Sequence, residues 1–232
     1  PPAIALLSAV LKKEQHQVEL FDTTYYKSDL SIDSDGTKRD HHAAQVDRLN
    51  VIPFGAGGFT PKISENGWRG DFKAKVGSFK PDLIAMSCTE DMWELGLMMI
   101  EEVEQYISQN QTPVLVGGVF ATFAPEIAIK HPLVDMVCVG EGENALRTLC
   151  ERIEKREPYY DVTNLWVKRK DGVITKNSMS DPVDVNKMPM MDLDLFEEQR
   201  LYRPMAGKWY KMLPVETIRG CPYKCTYCNS PN

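Results

Sequence analysis

The sequence predicts an α/β fold of the doubly wound class, in which helices cover both faces of a parallel sheet. Runs of three to five apolar residues alternate with longer amphipathic stretches between residues 82 and 156. Short apolar runs are typical of parallel strands that are buried on both faces, and their alternation with helices indicates one layered sheet. Glycines also follow two of the predicted strands. Together these observations predict an open sheet with a ligand crevice at its carboxyl edge.

The start of the chain predicts a helix, a short strand and then an insertion. Residues 3–15 carry apolar side chains at helical spacing, and Pro2 suits a first helical turn. Val18–Phe21 is mostly apolar, which predicts a strand. Residues 27–80 are polar and too long for an ordinary loop, so we predict an insertion that ends in a short helix near residues 70–79.

Regular alternation returns after the insertion and predicts the body of the sheet. The pattern gives strand, helix, strand, helix, strand and helix in that order. The predicted strands are Asp82–Ser87, Val114–Val116 and Met136–Val139, and the predicted helices are residues 91–109, 125–130 and 143–156.

The pattern changes after residue 157. Lys170-Asp171-Gly172 lies between two short apolar runs, Leu165–Val167 and Val173–Thr175, which predicts a hairpin. Residues 178–212 contain three prolines and little periodicity, so we predict a linker that drapes over a partner domain. Leu213–Ile218 is predicted to be a strand that leads into the cysteine-rich end of the chain.

Composition argues against several classes of protein. The net charge of −6 and the pI near 5.3 argue against nucleic acid as a partner. No apolar run approaches the about 20 residues of a membrane-spanning helix, and no export signal is visible. We therefore expect a cytoplasmic protein without a membrane span. The sequence opens at Pro1 without a methionine and stops four residues after its last cysteine, so we expect a segment of a longer protein.

Three cysteines form the most specific motif of the sequence. Cys221, Cys225 and Cys228 follow the spacing C-x3-C-x2-C, and Tyr227 immediately precedes the third cysteine. Three thiolates can hold three irons of a 4Fe–4S cluster, because such clusters are built on cysteine sulfur. The fourth iron would then have no protein ligand, so a small molecule could bind it directly.

Zinc and disulfides are the alternatives for these cysteines. Structural zinc usually takes four ligands in paired spacings, and no histidine follows Cys228. A disulfide framework is not expected with 6 cysteines among 232 residues and no secretory signal. The remaining cysteines, Cys88, Cys138 and Cys150, lie in apolar stretches and are expected to be buried thiols.

Three segments that end predicted strands carry the chemistry of a binding crevice. Glycine allows close backbone approach, and hydroxyl groups can bond a nucleotide-like tail. Glu141 could bond either a ribose or a backbone amide. A bulky residue in place of Gly117 or Gly118 is expected to block such a tail and leave the fold intact. The candidate residues are Ser87, Cys88, Thr89, Glu90, Gly117, Gly118, Val119, Gly140, Glu141 and Gly142.

The cysteine motif resembles the signature of the radical S-adenosylmethionine (SAM) superfamily. The resemblance implies that the amino and carboxylate groups of SAM chelate the fourth iron, and that Tyr227 lies beside the adenine. It also implies that Leu213–Ile218 is the first strand of a catalytic (β/α) barrel.

The segment Pro81–Glu143, which includes Val116–Thr122 and Val139–Glu143, is similar to the cobalamin (B12)-binding domain of B12-dependent radical SAM proteins. The resemblance implies a flavodoxin-like or Rossmann-like fold whose first strand would precede Pro1, which leaves a gap between Val18–Phe21 and the strand at residues 83–87. The implied domains are a cobalamin-binding domain at residues 1–157, a hairpin and linker at residues 158–212, and the start of a radical SAM domain at residues 213–232.

The sequence departs from the wider B12 fold at the loop that can supply a lower cobalt ligand. Methionine-synthase-like domains carry D-x-H-x-x-G there, but the segment Asp22–Lys27 has neither the histidine nor the glycine. The lower ligand is therefore open between water, no ligand, and Tyr25 or Tyr26. Packing of the two tyrosines against the ring is the favoured role.

The resemblance implies a radical SAM enzyme with a 4Fe–4S cluster, SAM and cobalamin as cofactors. A methyltransferase acting on an unactivated carbon is favoured, with a small-molecule substrate and a flavodoxin or ferredoxin as electron donor. The alternatives are a radical SAM enzyme whose α/β domain is a scaffold, and a non-catalytic corrinoid-binding module. Residues 1–232 alone are expected to be inactive, because the barrel would lie outside them.

Overall fold

The computed structural model describes residues 2–26, 62, 64, 66–205, 208–221 and 223–228. Most of the predicted insertion at residues 27–80 therefore lies outside the described residues. Its predicted closing helix is present as α2, Arg69–Phe79.

A mixed sheet of five strands forms the centre of the molecule, in the order β1 to β5. The first three strands are parallel and the last two are antiparallel additions. The strands are β1 Ile84–Ser87, β2 Val114–Gly117, β3 Met136–Cys138, β4 Leu165–Lys168 and β5 Ile174–Lys176. The predicted α/β class is confirmed, and the predicted hairpin, β4 and β5, extends the sheet through pairing of Met136 with Val167.

Helices cover both faces of this sheet. They are α1 Pro2–Lys13, α2 Arg69–Phe79, α3 Trp93–Glu102, α4 Glu104–Asn110, α5 Val119–Phe123, α6 Pro125–Ala128 and α7 Glu143–Glu154. The predicted helix at residues 91–109 is broken at Val103, where φ is −116° and ψ is 17°. The Val103 amide bonds to the carbonyl of Ile100 at 3.1 Å, a tighter turn than the α-helix makes.

The two faces of the sheet have separate hydrophobic cores. Leu115 packs into a cluster with α1, α7 and the hairpin, whereas Val116 packs into a cluster with α5 and α6. Neighbouring residues of one strand point to opposite faces, so this division is that of a doubly wound sheet. A third cluster around Trp68 and Phe72 packs α2 against α3. In the described part of the chain, no helix combines the length and apolar character needed to span a membrane.

The prediction of a strand at Val18–Phe21 is wrong, because no strand among the described residues pairs with this segment. The segment does not pair with β1, and this agrees with the gap that was expected between them. Helix α2 contacts it instead. Lys75 Nζ donates to the carbonyl of Leu20 at 2.7 Å, and the rings of Phe21 and Phe72 meet edge to face at 5.0 Å.

The region before the cysteines also differs from the prediction. Two antiparallel strands, β6 Tyr202–Met205 and β7 Lys208–Lys211, pair where we expected an irregular linker. The linker packs on the α/β domain, since Ser8 Oγ donates to Asp192 Oδ2 at 2.6 Å. Leu213–Ile218 does not form the predicted strand, because no partner strand lies beside it among the described residues.

The hairpin's contribution to the core can be tested with two valines. Val167 on β4 is 1% exposed, whereas Val173 beside the turn is 55% exposed. Val167→Ala is expected to lower the free energy of unfolding by about 2 kcal/mol through lost burial and an unfilled cavity. Val173→Ala should change it by less than about 0.5 kcal/mol. Chemical denaturation measures both, and equal effects would show that the hairpin does not share the core.

Candidate functional site

The carboxyl ends of β1 and β2 meet through their backbones. The amide of Cys88 donates to the carbonyl of Gly117 at 3.4 Å, and the amide of Phe120 donates to the carbonyl of Cys88 at 3.4 Å. Ser87 pairs with Gly117 in the strand register. These contacts bring two of the three predicted strand-end segments together.

Gly118 permits this close approach. Its φ is +92°, a conformation that side-chain-bearing residues rarely adopt. A Cβ at this position would lie 2.8 Å from Ser87 Oγ and 2.9 Å from the carbonyl oxygen of Cys88. The expectation that a bulky residue at Gly118 leaves the fold intact is therefore wrong. Gly117 differs, because its Cβ would meet only the Cβ of Cys138, at 3.8 Å.

Thr122 joins the third segment to the first two. Its Oγ1 donates to the carbonyl of Gly118 at 3.0 Å and accepts from the amide of Gly140 at 3.1 Å. Thr122 is not among the site residues predicted from the sequence. A threonine four residues after the glycine at a helix start is a usable signal, because such hydroxyls commonly bond the carbonyl one turn back.

Glu141 is held by protein groups on both carboxylate oxygens. Oε2 accepts from the amide of Val183 at 2.7 Å, and Oε1 lies 3.2 Å from Arg219 Nη1. Its carbonyl accepts from the side chain of the buried Asn164 at 2.9 Å. The sequence suggested that Glu141 bonds either a ribose or a backbone amide, and in the structure it bonds the backbone amide of Val183. Asn164 is a second residue that the sequence analysis missed.

The remaining crevice residues divide into exposed and buried groups. Ser87, Thr89 and Glu90 are exposed, as is Val119, and the hydroxyl of Thr89 bonds Asp91. Cys88 is buried, and burial raises its thiol pKa to about 11. Burial also raises the pKa of Cys138 to about 12. Both thiols stay protonated at neutral pH, which suits packing rather than metal binding.

The cysteine motif lies on an exposed loop. Cys221 and Cys225 are exposed, Cys228 is half-buried, and its amide bonds the carbonyl of Cys225 at 3.1 Å. Tyr227 is 89% exposed. The three thiols suit iron as donors, but the described residues contain no group of three or more metal-binding side chains already placed around one point. Among the described residues, the three thiols therefore share one loop but do not converge on a single point.

Arg219 connects this loop to the strand-end segment around Glu141. Its Nη1 lies 2.8 Å from Glu143 Oε1 and 3.2 Å from Glu141 Oε1, and its Nη2 lies 2.8 Å from Glu216 Oε2. The bond to Glu216 is the main cause that raises the pKa of Arg219 above its usual value. Glu141 and Arg219 also line a cleft of about 370 Å³. The segment that leads into the cysteines thus lies beside the loop after β3.

The tyrosines of the Asp22 loop bond other protein groups. Tyr25 donates to the carbonyl of Gln199 at 3.0 Å, and Tyr26 donates to Asp71 Oδ2 at 3.0 Å. Burial raises the pKa of Asp22, but bonds from Thr24 and the charge of Arg200 outweigh burial and leave this pKa below its usual value. A cleft of about 840 Å³ lies beside this loop and does not include the glycine segments.

A family model described as the B12 binding domain matches residues 60–150. An uncharacterized methyltransferase from Pyrococcus horikoshii is 27% identical over 166 residues, which are 69% of this chain and 34% of the relative. The cobalamin-dependent radical SAM methyltransferase TokK from Streptomyces tokunonensis is 29% identical over 159 residues, 66% of this chain and 22% of that protein. The chain thus spans about a third or less of the length of these relatives.

A solved structure has a similar fold. The cobalamin-dependent SAM radical enzyme OxsB, with aqua-cobalamin and SAM bound, superposes with a TM-score of 0.58 at 20% identity. The superposition covers 84% of this chain and 22% of OxsB. The fold class and the resemblance to the B12-binding domain of cobalamin-dependent radical SAM proteins are confirmed.

The role of Gly118 can be tested by stability. Gly118→Ala is expected to cost about 1–3 kcal/mol of unfolding free energy from backbone strain, with the contact to the Cys88 carbonyl added. Gly117→Ala is the matched control and should cost less, because its Cβ meets only ordinary van der Waals contact. Denaturant titrations of both variants measure the difference. Equal stabilities would contradict the conformation described for Gly118.

Proposed function

We propose that this chain is part of a cobalamin-dependent radical SAM enzyme, and that the full protein is a methyltransferase acting on an unactivated carbon. The observation that carries the proposal is the B12-binding domain match at residues 60–150, followed in the same chain by the C-x3-C-x2-C motif. The ion pairs of Arg219 with Glu141 and Glu143 support the proposal, because they join the segment before the cysteines to the loop after β3.

The strand ends would hold the nucleotide tail of cobalamin. Ser87 and Thr89 would line one side, the segment 117–119 the other, and the segment 140–142 the far end. The absence of a side chain at Gly117, which is half-buried, and the exposed side chain of Val119 fit an extended ligand lying close to the backbone. Glu141 would shape this loop rather than bind the ribose, because protein groups occupy its carboxylate.

The cysteine loop would hold the cluster. Cys221, Cys225 and Cys228 would ligate three irons, and Tyr227 would lie beside the adenine of SAM. When bound, the cluster with SAM supplies a 5′-deoxyadenosyl radical and cobalamin supplies a transferable methyl group. The chain's own part is to ligate and orient these groups at the sheet edge. We also propose a flavodoxin or ferredoxin as the electron donor.

The cluster assignment predicts the effect of losing one cysteine. Cys225→Ala in the full-length protein is expected to abolish the iron absorbance and the cleavage of SAM after anaerobic reconstitution. Cys150→Ala is the control, because Cys150 lies on α7 away from the loop and should leave both signals unchanged. Tetrahedral zinc in protein prepared without oxygen would instead support a structural site.

The cobalamin assignment predicts a steric block at the glycine segment. Gly117→Leu in the full-length protein is expected to reduce retention of hydroxocobalamin at least tenfold, because the side chain enters the path of the tail. Gly77→Leu is the matched control, since its Cβ has no neighbour within 4 Å on α2. Visible absorbance after gel filtration measures the retained corrinoid. Undiminished retention by Gly117→Leu would contradict this placement.

A further inference from the structure

One guanidinium is shared by three carboxylates from three segments of the chain. Glu141 belongs to the glycine loop after β3, Glu143 begins α7, and Glu216 lies on the segment before the cysteines. Their distances to Arg219 are 3.2, 2.8 and 2.8 Å. The side chain of Glu143 is only 7% exposed, so Arg219 neutralises a carboxylate that is largely removed from water.

The position of Arg219 makes this pairing more than a surface contact. Arg219 lies two residues before Cys221, and only Gly220, with φ of +85°, separates them. Residues 212–219 form no strand in the structure, so no ladder fixes this segment to the sheet. Side-chain ion pairs therefore have a direct part in setting where the cysteine loop begins.

Hydrogen bonds hold Glu141, the partner of Arg219, in place. The second carboxylate oxygen of Glu141 accepts from the amide of Val183, and its carbonyl accepts from Asn164. Asn164 in turn accepts from the amide of Ser180 at 2.6 Å through Oδ1. Arg219 thus pairs with a residue that Val183 and Asn164 already hold in place. A shift of the loop that carries Glu141 would be transmitted through this pair to the cysteine loop.

We propose that Arg219 is a positioning residue that couples the two loops, so that corrinoid and cluster bind cooperatively. The inference rests on the proposed function. A corrinoid packed against the Gly140–Gly142 loop would hold this loop in the position at which Glu141 pairs with Arg219, and with it the approach to Cys221. By thermodynamic linkage, a bound cluster would raise the affinity for the corrinoid by the same factor as a bound corrinoid raises the affinity for the cluster. Couplings of this kind are typically about 5–150-fold, and we expect about tenfold.

The test measures the dissociation constant for hydroxocobalamin with the full-length protein, once with the reconstituted cluster and once without it. The cluster is expected to lower the dissociation constant of the unaltered protein about tenfold. In Arg219→Gln, the ratio of the two constants should fall to about one. Arg152→Gln is the matched control, because Arg152 on α7 pairs with Glu157 at 3.6 Å and does not reach the site. It should keep the full ratio.

The ratio separates coupling from structural support. A purely structural Arg219 would weaken binding equally in both states and leave the ratio unchanged, which would overturn the inference. If Arg219→Gln does not fold, Glu141→Gln removes one charge of the pair at equal size and should also lower the ratio. An unaltered protein that binds both groups with a ratio of one overturns the coupling alone. An unaltered protein that binds no corrinoid overturns the proposed function and the coupling with it.

Discussion

The close approach of backbone at Gly118 is the constraint on which the rest of the site depends. Its positive φ lets the chain leave β2 against the carbonyl of Cys88, where a Cβ would lie within 3 Å. This turn lets α5 begin beside the end of β1, where the amide of Phe120 donates to the carbonyl of Cys88. Without it, α5 could not begin this close to the end of β1, although the strand pairing of Ser87 with Gly117 does not itself require Gly118.

A chain of polar contacts extends this edge from the centre of the sheet to its side. Thr122 bonds both glycine segments, and Asn164 holds the carbonyl of Glu141 from the antiparallel hairpin. The bond from Asn164 is partly buried, so its loss would leave a desolvated carbonyl group behind, whereas both bonds of Thr122 are exposed. The hairpin therefore does more than cover apolar surface. It fixes the loop that Arg219 contacts.

Local patterns predicted the parts of the fold that depend on local physics. The apolar runs around Val116 and Val137 predicted strands, because buried parallel strands need apolar residues on both faces. The same reasoning placed a strand at Val18–Phe21 and another at Leu213–Ile218, and neither forms. A strand exists only beside a partner, and partner choice is not a property of a short segment. The pairing of β6 with β7 was missed because charged residues interrupt both strands and their described side chains are exposed or half-buried, so no apolar run or clean alternation marks them.

The order of residues is enough to show which chemical groups the protein carries, including the three clustered thiols and the glycines at the strand ends. It is enough because ligand chemistry and backbone freedom belong to single residues and their spacing. The tertiary structure alone decided which of these groups meet. Arg219 and Glu141 are separated by 78 positions, and nothing in either segment identifies the other as its partner. Their contact arises because the chain after β5 returns to the loop after β3, where Val183 and Arg219 both bond the carboxylate of Glu141.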